Sequence, residues 1–288
     1  MTDDGPAPPM SEAEADRRFA EWMRLNLDQA ARHFDVDVTG EVTFGWRLRT
    51  IGAPVTGPAG DFWLRVVSEF PEWASGDTWT GNTDADQLTT VPRAQVIGVL
   101  EWNEAGWRTQ RAELMELLPG RAVSATDDLS GDPSLPQSWW IDLATALAAL
   151  RTTPTDRIGV DVDRTRDRTA RVYGAPVTVD SWSTVHGDLH WANVFGPRLA
   201  ILDWEMWGRG PTGYDEATLL LFSLRVPAIA QQVRARFADV LDSPAGRVAL
   251  LVAAARLKDR LDAGDFPELA APVTALVDEL GVPFTIQR

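Results

Sequence analysis

The sequence predicts an α+β chain of two lobes, the first rich in sheet and the second helical. Three observations carry this. Runs dense in aromatic and β-branched residues, bounded by Gly and Pro, recur up to Leu118. Beyond that point apolar residues fall at helical spacing. Between the two textures sits LPGR at 118–121, a sequence that breaks the strand pattern. The expected division is a tail over 1–10, a first lobe over 11–117, a hinge over 118–121 and a helical lobe over 122–288.

The tail, MTDDGPAPPM, is acidic and Pro-rich, the opposite of a basic-then-apolar leader, and reads as disordered. Residues 11–33 read as a helix: Ser11 supplies the N-cap, Glu14 completes a capping box, and Phe19, Trp22, Met23, Leu27 and Ala30 share a face. Residues 42–51, 61–67, 93–102 and 107–118 read as strands, with GPAG at 57–60 and the turn at 103–106 closing two hairpins. The stretch 72–88 is mixed and has room for one short helix. In the second lobe, 138–151 sets Trp140, Leu143, Leu147 and Leu150 on one stripe, and 214–224, 229–241, 245–261 and 268–280 are further helices.

Composition excludes several function classes. With 288 residues and 44% hydrophobic content the chain can bury a sizeable core. No apolar run reaches the roughly 18 residues of a membrane-spanning helix, so no membrane partner is expected and the cytoplasm is the default location. The absence of cysteine removes disulfides, thiolate nucleophiles and Cys-ligated metals. A net charge of -15 repels phosphate backbones and argues against a nucleic-acid partner. It suits a cationic ligand, and serves solubility equally well. Lys258 is the single Lys; the other basic residues are Arg.

The chemistry sits in VHGDLHWANVFGPRLAILDWEMWGRGPTGYDEATLL, which begins at Val185. Asp188 is followed five positions later by Asn193, and the apolar Ala200-Ile201-Leu202 leads to Asp203. Phosphoryl transfer needs a carboxylate beside the attacking hydroxyl and hard oxygen ligands for a divalent cation on the phosphates. Asp188, Asn193 and Asp203 supply these three oxygens. His186 and His190 allow a rival reading as a zinc site, but it lacks further ligands, and His186 is expected to hydrogen-bond the loop backbone instead. Trp191, Trp204 and Trp207 could stack on an acceptor, although such residues more often fill a core.

HGDLHWAN with ILDWE resembles the catalytic and metal-binding segments of the aminoglycoside phosphotransferase and choline kinase families, relatives of protein kinases. The resemblance implies a two-lobed protein-kinase-like fold and a kinase acting on a hydroxyl of a small molecule, with Mg²⁺ and ATP or GTP as phosphoryl donor. It makes Asp188 the catalytic carboxylate and Asn193 and Asp203 the magnesium ligands, with His186 and Asp215 in support. AELMELLPGR over 112–121 resembles the hinge strand, so the backbones of Glu116 and Leu118 would face the adenine ring. Thr50-Ile51-Gly52 falls where the family's phosphate-covering loop lies. Arg65 stands at the position of the family's phosphate-binding Lys, keeping the charge while changing its geometry. Its acidic partner is open among Glu72, Asp77 and Asp84. The resemblance favours an aminoglycoside or another hydroxylated metabolite as acceptor. The acids Asp239, Asp242, Asp259, Asp262, Asp265 and Glu268 are candidate ammonium binders, though a solvated face is their commoner role. Two other readings stay open: a kinase of peptide Ser or Thr, and a non-catalytic nucleotide-binding scaffold, the latter motivated by Arg65.

Overall fold

A computed structural model describes residues 11–282; the tail expected over 1–10 lies outside the described residues. The chain divides into two units. The first holds the described residues up to Trp79 together with Ala94–Leu117, and the second holds Thr80–Arg93 and the described residues from Leu118 onward.

The first unit opens with α1 (Glu12–Phe34). Ser11 caps it, accepting the Glu14 N–H at 3.3 Å, but the expected return bond of a capping box is replaced: the Glu14 carboxylate takes Arg17 and Arg18. Five strands follow the order β1 (Asp37–Val38), β3 (Thr50–Gly57), β4 (Gly60–Glu69), β6 (Arg108–Glu116), β5 (Val96–Glu104), and β2 (Thr43–Phe44) also pairs with β3. All these pairings are antiparallel. Both predicted hairpins form, with Gly57 opposite Gly60 and Glu104 opposite Arg108. The strand expected over 42–51 breaks at Gly45, where a short 3-10 turn (Trp46–Leu48) carries Arg47 and Leu48 at positive φ. Met23, Leu27 and Ala30 of α1 pack on Ile51, Val55, Leu64, Val66 and Leu114 of the sheet. Burying Met23 or Leu27 contributes about 1.5–3 kcal/mol each.

The boundary between the units falls inside α2 (Gly76–Asp84). Thr80–Arg93, expected with the sheet, belongs to the second unit because of its bonds there. Gly81 carbonyl accepts the Trp207 indole N–H at 2.9 Å, Asn82 Oδ1 accepts the Trp204 backbone N–H at 2.9 Å, and Pro92 carbonyl accepts the Ile201 N–H at 2.8 Å.

The rest of the second unit runs β7 (Arg121–Ala122), α3 (Gln137–Thr152), α4 (Val162–Tyr173), β8 (Trp182–Val185), β9 (Val194–Gly196), β10 (Ala200–Ile201), β11 (Gly208–Pro211), α5 (Tyr214–Ser223), α6 (Pro227–Arg236), α7 (Ala238–Leu241), α8 (Pro244–Asp262) and α9 (Ala270–Glu279). Every residue of α5 is buried, so this helix reads as apolar all round and forms the middle of the core. β9 pairs with β7 and β10, and β11 pairs with β8. These two small sheets hold most of the segment that begins at Val185.

Candidate active site

The site is built on the loop that leaves β8. Gly187 sits at φ 83°, and a Cβ there would lie 2.3 Å from the Met206 carbonyl oxygen, so only glycine lets the chain turn against the Met206 backbone. The turn directs the His186 and Gly187 N–H groups at one carboxylate: they donate to Asp215 Oδ2 and Oδ1 at 2.7 and 2.9 Å. Asp215 lies in the first turn of α5 and is 3% exposed, so these bonds are buried. Full burial, with Glu216 beside it, pushes its carboxyl up to about 7, against the pull of the two donors.

His186 locks the other side. The Asp188 N–H donates to His186 Nδ1 at 3.3 Å, so the ring proton is on Nε2 and is donated to the Leu202 carbonyl at 2.8 Å. Burial pushes the imidazole down to about 4, and it stays neutral. Both ring nitrogens are committed to backbone, which leaves neither for zinc, and the backbone-bonding role is the one the ring plays.

Asp188 is presented by this frame. Its Oδ1 accepts from Arg256 Nη2 at 2.9 Å, and His190 Nε2 stands 3.7 Å from Oδ2. Burial works to raise the Asp188 carboxyl, but Arg256 and His190 outweigh it and hold it well below the usual carboxylate range. Arg256, from α8, also donates to the Gly187 carbonyl at 2.6 Å. His190 faces Asp127 at 3.8 Å as well, and Asp127 is itself held by Arg260. Burial works to lower the His190 ring, but Asp188 and Asp127 overcome it and raise it.

Asn193 and Asp203 meet through the β9–β10 hairpin. Val194 pairs with Ile201, and the Leu202 N–H donates to the Asn193 carbonyl at 2.8 Å, so both side chains leave from the open end of the hairpin. Asn193 Nδ2 donates to the Asp188 carbonyl at 3.0 Å and lies 3.2 Å from His190 Nε2, which leaves Oδ1 without a hydrogen bond among the described residues. Asp203 adopts a left-handed conformation (φ 58°, ψ 67°) and is exposed. An open amide oxygen and an exposed carboxylate are hard donors that fit a small divalent cation also bound to phosphate and water. Among the described residues no cluster of three or more His, Asp or Glu suits a metal.

The structure therefore brings Asp188, Asn193, Asp203, His186 and Asp215 together. It also adds Arg256, His190 and Asp127, which the motif alone does not name as site residues. Trp191, Trp204 and Trp207 are 0–2% exposed, which makes them core and removes them as stacking platforms. In the first unit, Thr50, Ile51 and Gly52 differ from expectation: they are strand residues of β3, opposite Val67, Val66 and Arg65. Ile51 is core, and a Cβ at Gly52 would lie 2.7 Å from the Trp63 ring, so this glycine accommodates Trp63. The segment at 45–49 before them connects β2 to β3. Arg65 bonds Glu113 on β6 at 3.1 Å, an acid outside the three candidates, while Asp84 is held by Arg157. The Glu116 N–H donates to the Gln95 carbonyl at 3.0 Å, so any role facing a base falls to its carbonyl.

No protein-family model matches the sequence, and no curated protein matches it. Solved structures do. One is an amicoumacin kinase, hAmiN, in complex with AMP-PNP, Ca²⁺ and Ami: 16% identity, TM-score 0.58, covering 94% of each chain. Another is the spectinomycin phosphotransferase APH(9)-Ia in complex with ADP and spectinomycin: 10% identity, TM-score 0.51, covering 90% of this chain and 92% of that one. The fold is protein-kinase-like. Within that kinase-like fold the sheet-rich first unit and the helical second unit correspond to the α+β order expected from the sequence.

Proposed function

We propose that this protein is a phosphotransferase that moves the γ-phosphoryl group of ATP or GTP to a hydroxyl of a small molecule. The observation that carries the reading is the Asp188 frame. One loop fixes a carboxylate through Asp215 and His186, and its Asn193 amide is turned so that an oxygen stays open beside it. A pure binding protein has no need of that arrangement. The kinase-like fold shared with antibiotic phosphotransferases supports the same reading.

In this reading the acceptor hydroxyl lies against Asp188, which orients it and takes its proton as the new O–P bond forms. The bond from the γ-phosphorus to the β–γ bridging oxygen breaks, and the nucleoside diphosphate leaves with that electron pair. The low Asp188 pKa makes orientation the larger part of its role, within the about 10²–10⁴-fold that a positioned base contributes. Asn193 and Asp203 would hold Mg²⁺, which supplies charge neutralisation on the phosphates. Arg65 is assigned to the non-transferred phosphates, the loop at 45–49 to covering them, and the backbones of Glu116 and Leu118 to the base.

The test is transfer from Mg·ATP and Mg·GTP to a panel of hydroxyl compounds and Ser/Thr peptides, read by mass, with Asp188→Asn as the blank. The expected product is heavier by one HPO₃ unit, about 80 Da, and falls by at least about 10²-fold in the variant, while nucleotide affinity is retained. Equal product formation by wild type and variant would overturn the assignment.

A further inference from the structure

Beside Asp188 the second unit holds a depression of about 380 Å³, including the part open to solvent. Its buried lining is mostly apolar: Leu221 and Phe222 from α5 and Ala253 and Leu257 from α8, with Tyr214 and Thr218 of α5 beside them. Its rim carries two carboxylates and two guanidiniums, and these close on one another. Asp188 is bonded to Arg256 at 2.9 Å and Asp127 to Arg260 at 2.5 Å.

Four of the acids near the end of the chain are also engaged. Asp259 binds Arg168 and Arg171, Asp262 binds Lys258, Asp265 binds Arg260, and Glu268 lies 3.6 Å from Arg225. A compound with several ammonium groups would meet, on the rim of this pocket, only carboxylates already neutralised by arginine. To bind there it must displace Arg256 or Arg260 from its rim carboxylate and forfeit that ion pair, an arrangement that selects against it. A neutral alcohol leaves both pairs intact and covers the apolar part of the lining.

We propose, building on the phosphoryl-transfer reading, that this pocket takes a neutral hydroxyl compound with an apolar face and discriminates against polycationic amino sugars. The net charge of -15 on the whole chain is then a property of its solvated surface and not of the pocket.

The experiment is calorimetric titration of the full chain with a set of aryl glucosides and with a tricationic amino sugar. Wild type, Arg260→Gln and Asp127→Asn are compared, each checked by thermal melting. Wild type should bind the best aryl glucoside at least about tenfold more tightly than the tricationic sugar. Arg260→Gln, which frees Asp127, should shrink that ratio by about five- to tenfold, the weight of one uncompensated charge near 4 Å. Asp127→Asn should widen it. Tighter binding of the polycation by wild type, a ratio unmoved in both folded variants, or no measurable binding of any aryl glucoside would each overturn the proposal. Binding is read without turnover, so a loss of the kinase reading is seen separately, as transfer that does not depend on Asp188.

Discussion

The loop at 186–193 in the second unit and the polar face of the first unit's sheet solve the same problem with different bonds. In the loop, the fixed points are backbone groups: two N–H donors on Asp215, the Leu202 carbonyl on His186, the Asp188 carbonyl on Asn193. In the sheet, side-chain charges run across strands. Arg65 bonds Glu113 at 3.1 Å, Arg111 bonds Glu113 at 3.0 Å and also Glu101, and Glu101 accepts the Trp79 indole N–H at 2.8 Å. Nearby, the Ser68 hydroxyl and both polar atoms of the Gln110 amide are buried without a hydrogen-bond partner among the described residues. Short bonds from backbone position a carboxylate tightly, because neither end can swing. Long side chains hold charge density in place while leaving its geometry adjustable.

The loop is the place to break that comparison. Asp215→Ala strands two buried N–H groups, and unsatisfied buried donors cost about 1–3 kcal/mol each. The expected loss in urea unfolding is about 2–6 kcal/mol, accompanied by a fall in kcat for any acceptor found. A loss within experimental error of zero would mean that the His186 and Gly187 donors are not the anchor of the site.

A second stress on the same frame comes from pH. His186 has its folded pKa pushed down to about 4 from an ordinary 6.5, so the unfolded chain takes up a proton that the folded one refuses. Its contribution is complete above pH 6.5, declines as the pH falls, and levels off below about 4. Across that window it amounts to about 3 kcal/mol at 1.36 kcal/mol per pKa unit. His186→Phe should lose stability at neutral pH through its two missing bonds, yet show a shallower decline in acid than wild type. Parallel unfolding profiles from pH 7 to pH 4 would remove His186 as an acid-sensitive element.

What the sequence revealed follows the same divide. Asp188, Asn193 and Asp203 lie in one contiguous run, and local backbone bonding brings them together, so their neighbourhood could be read directly. Arg256 and Asp127 could not be. The Arg256–Asp188 bond joins positions 68 apart and the Arg260–Asp127 bond joins positions 133 apart, through packing of α8 that no local pattern encodes. Helix α4 escaped for another reason. Its buried stripe is Thr165, Thr169 and Tyr173, correct in spacing but too polar to register as hydrophobic periodicity, although its caps, Asp161 and Gly174, are visible. The early sheet was legible in its hairpins and not in its first strand. There Gly45 and two positive-φ residues interrupt a run whose composition alone suggests continuity.

The sheet offers the smallest effect and the sharper discrimination. Glu113 is 1% exposed between two arginines, and Glu113→Gln keeps its shape while removing its charge. The lost charge assistance should cost about 1.5–3 kcal/mol, the range for a hydrogen bond to an ionised group. The kinetic signature decides more than the stability. If Arg65 serves the phosphates, loosening its anchor should raise the nucleotide KM severalfold and leave kcat nearly unchanged, the reverse of Asp215→Ala. A variant with normal nucleotide KM but lower stability would make the Arg65–Glu113 pair a support of the sheet alone. The phosphate role would then pass to the loop at 45–49, whose Arg47 lies with its guanidinium carbon 4.5 Å from the Trp46 ring centroid.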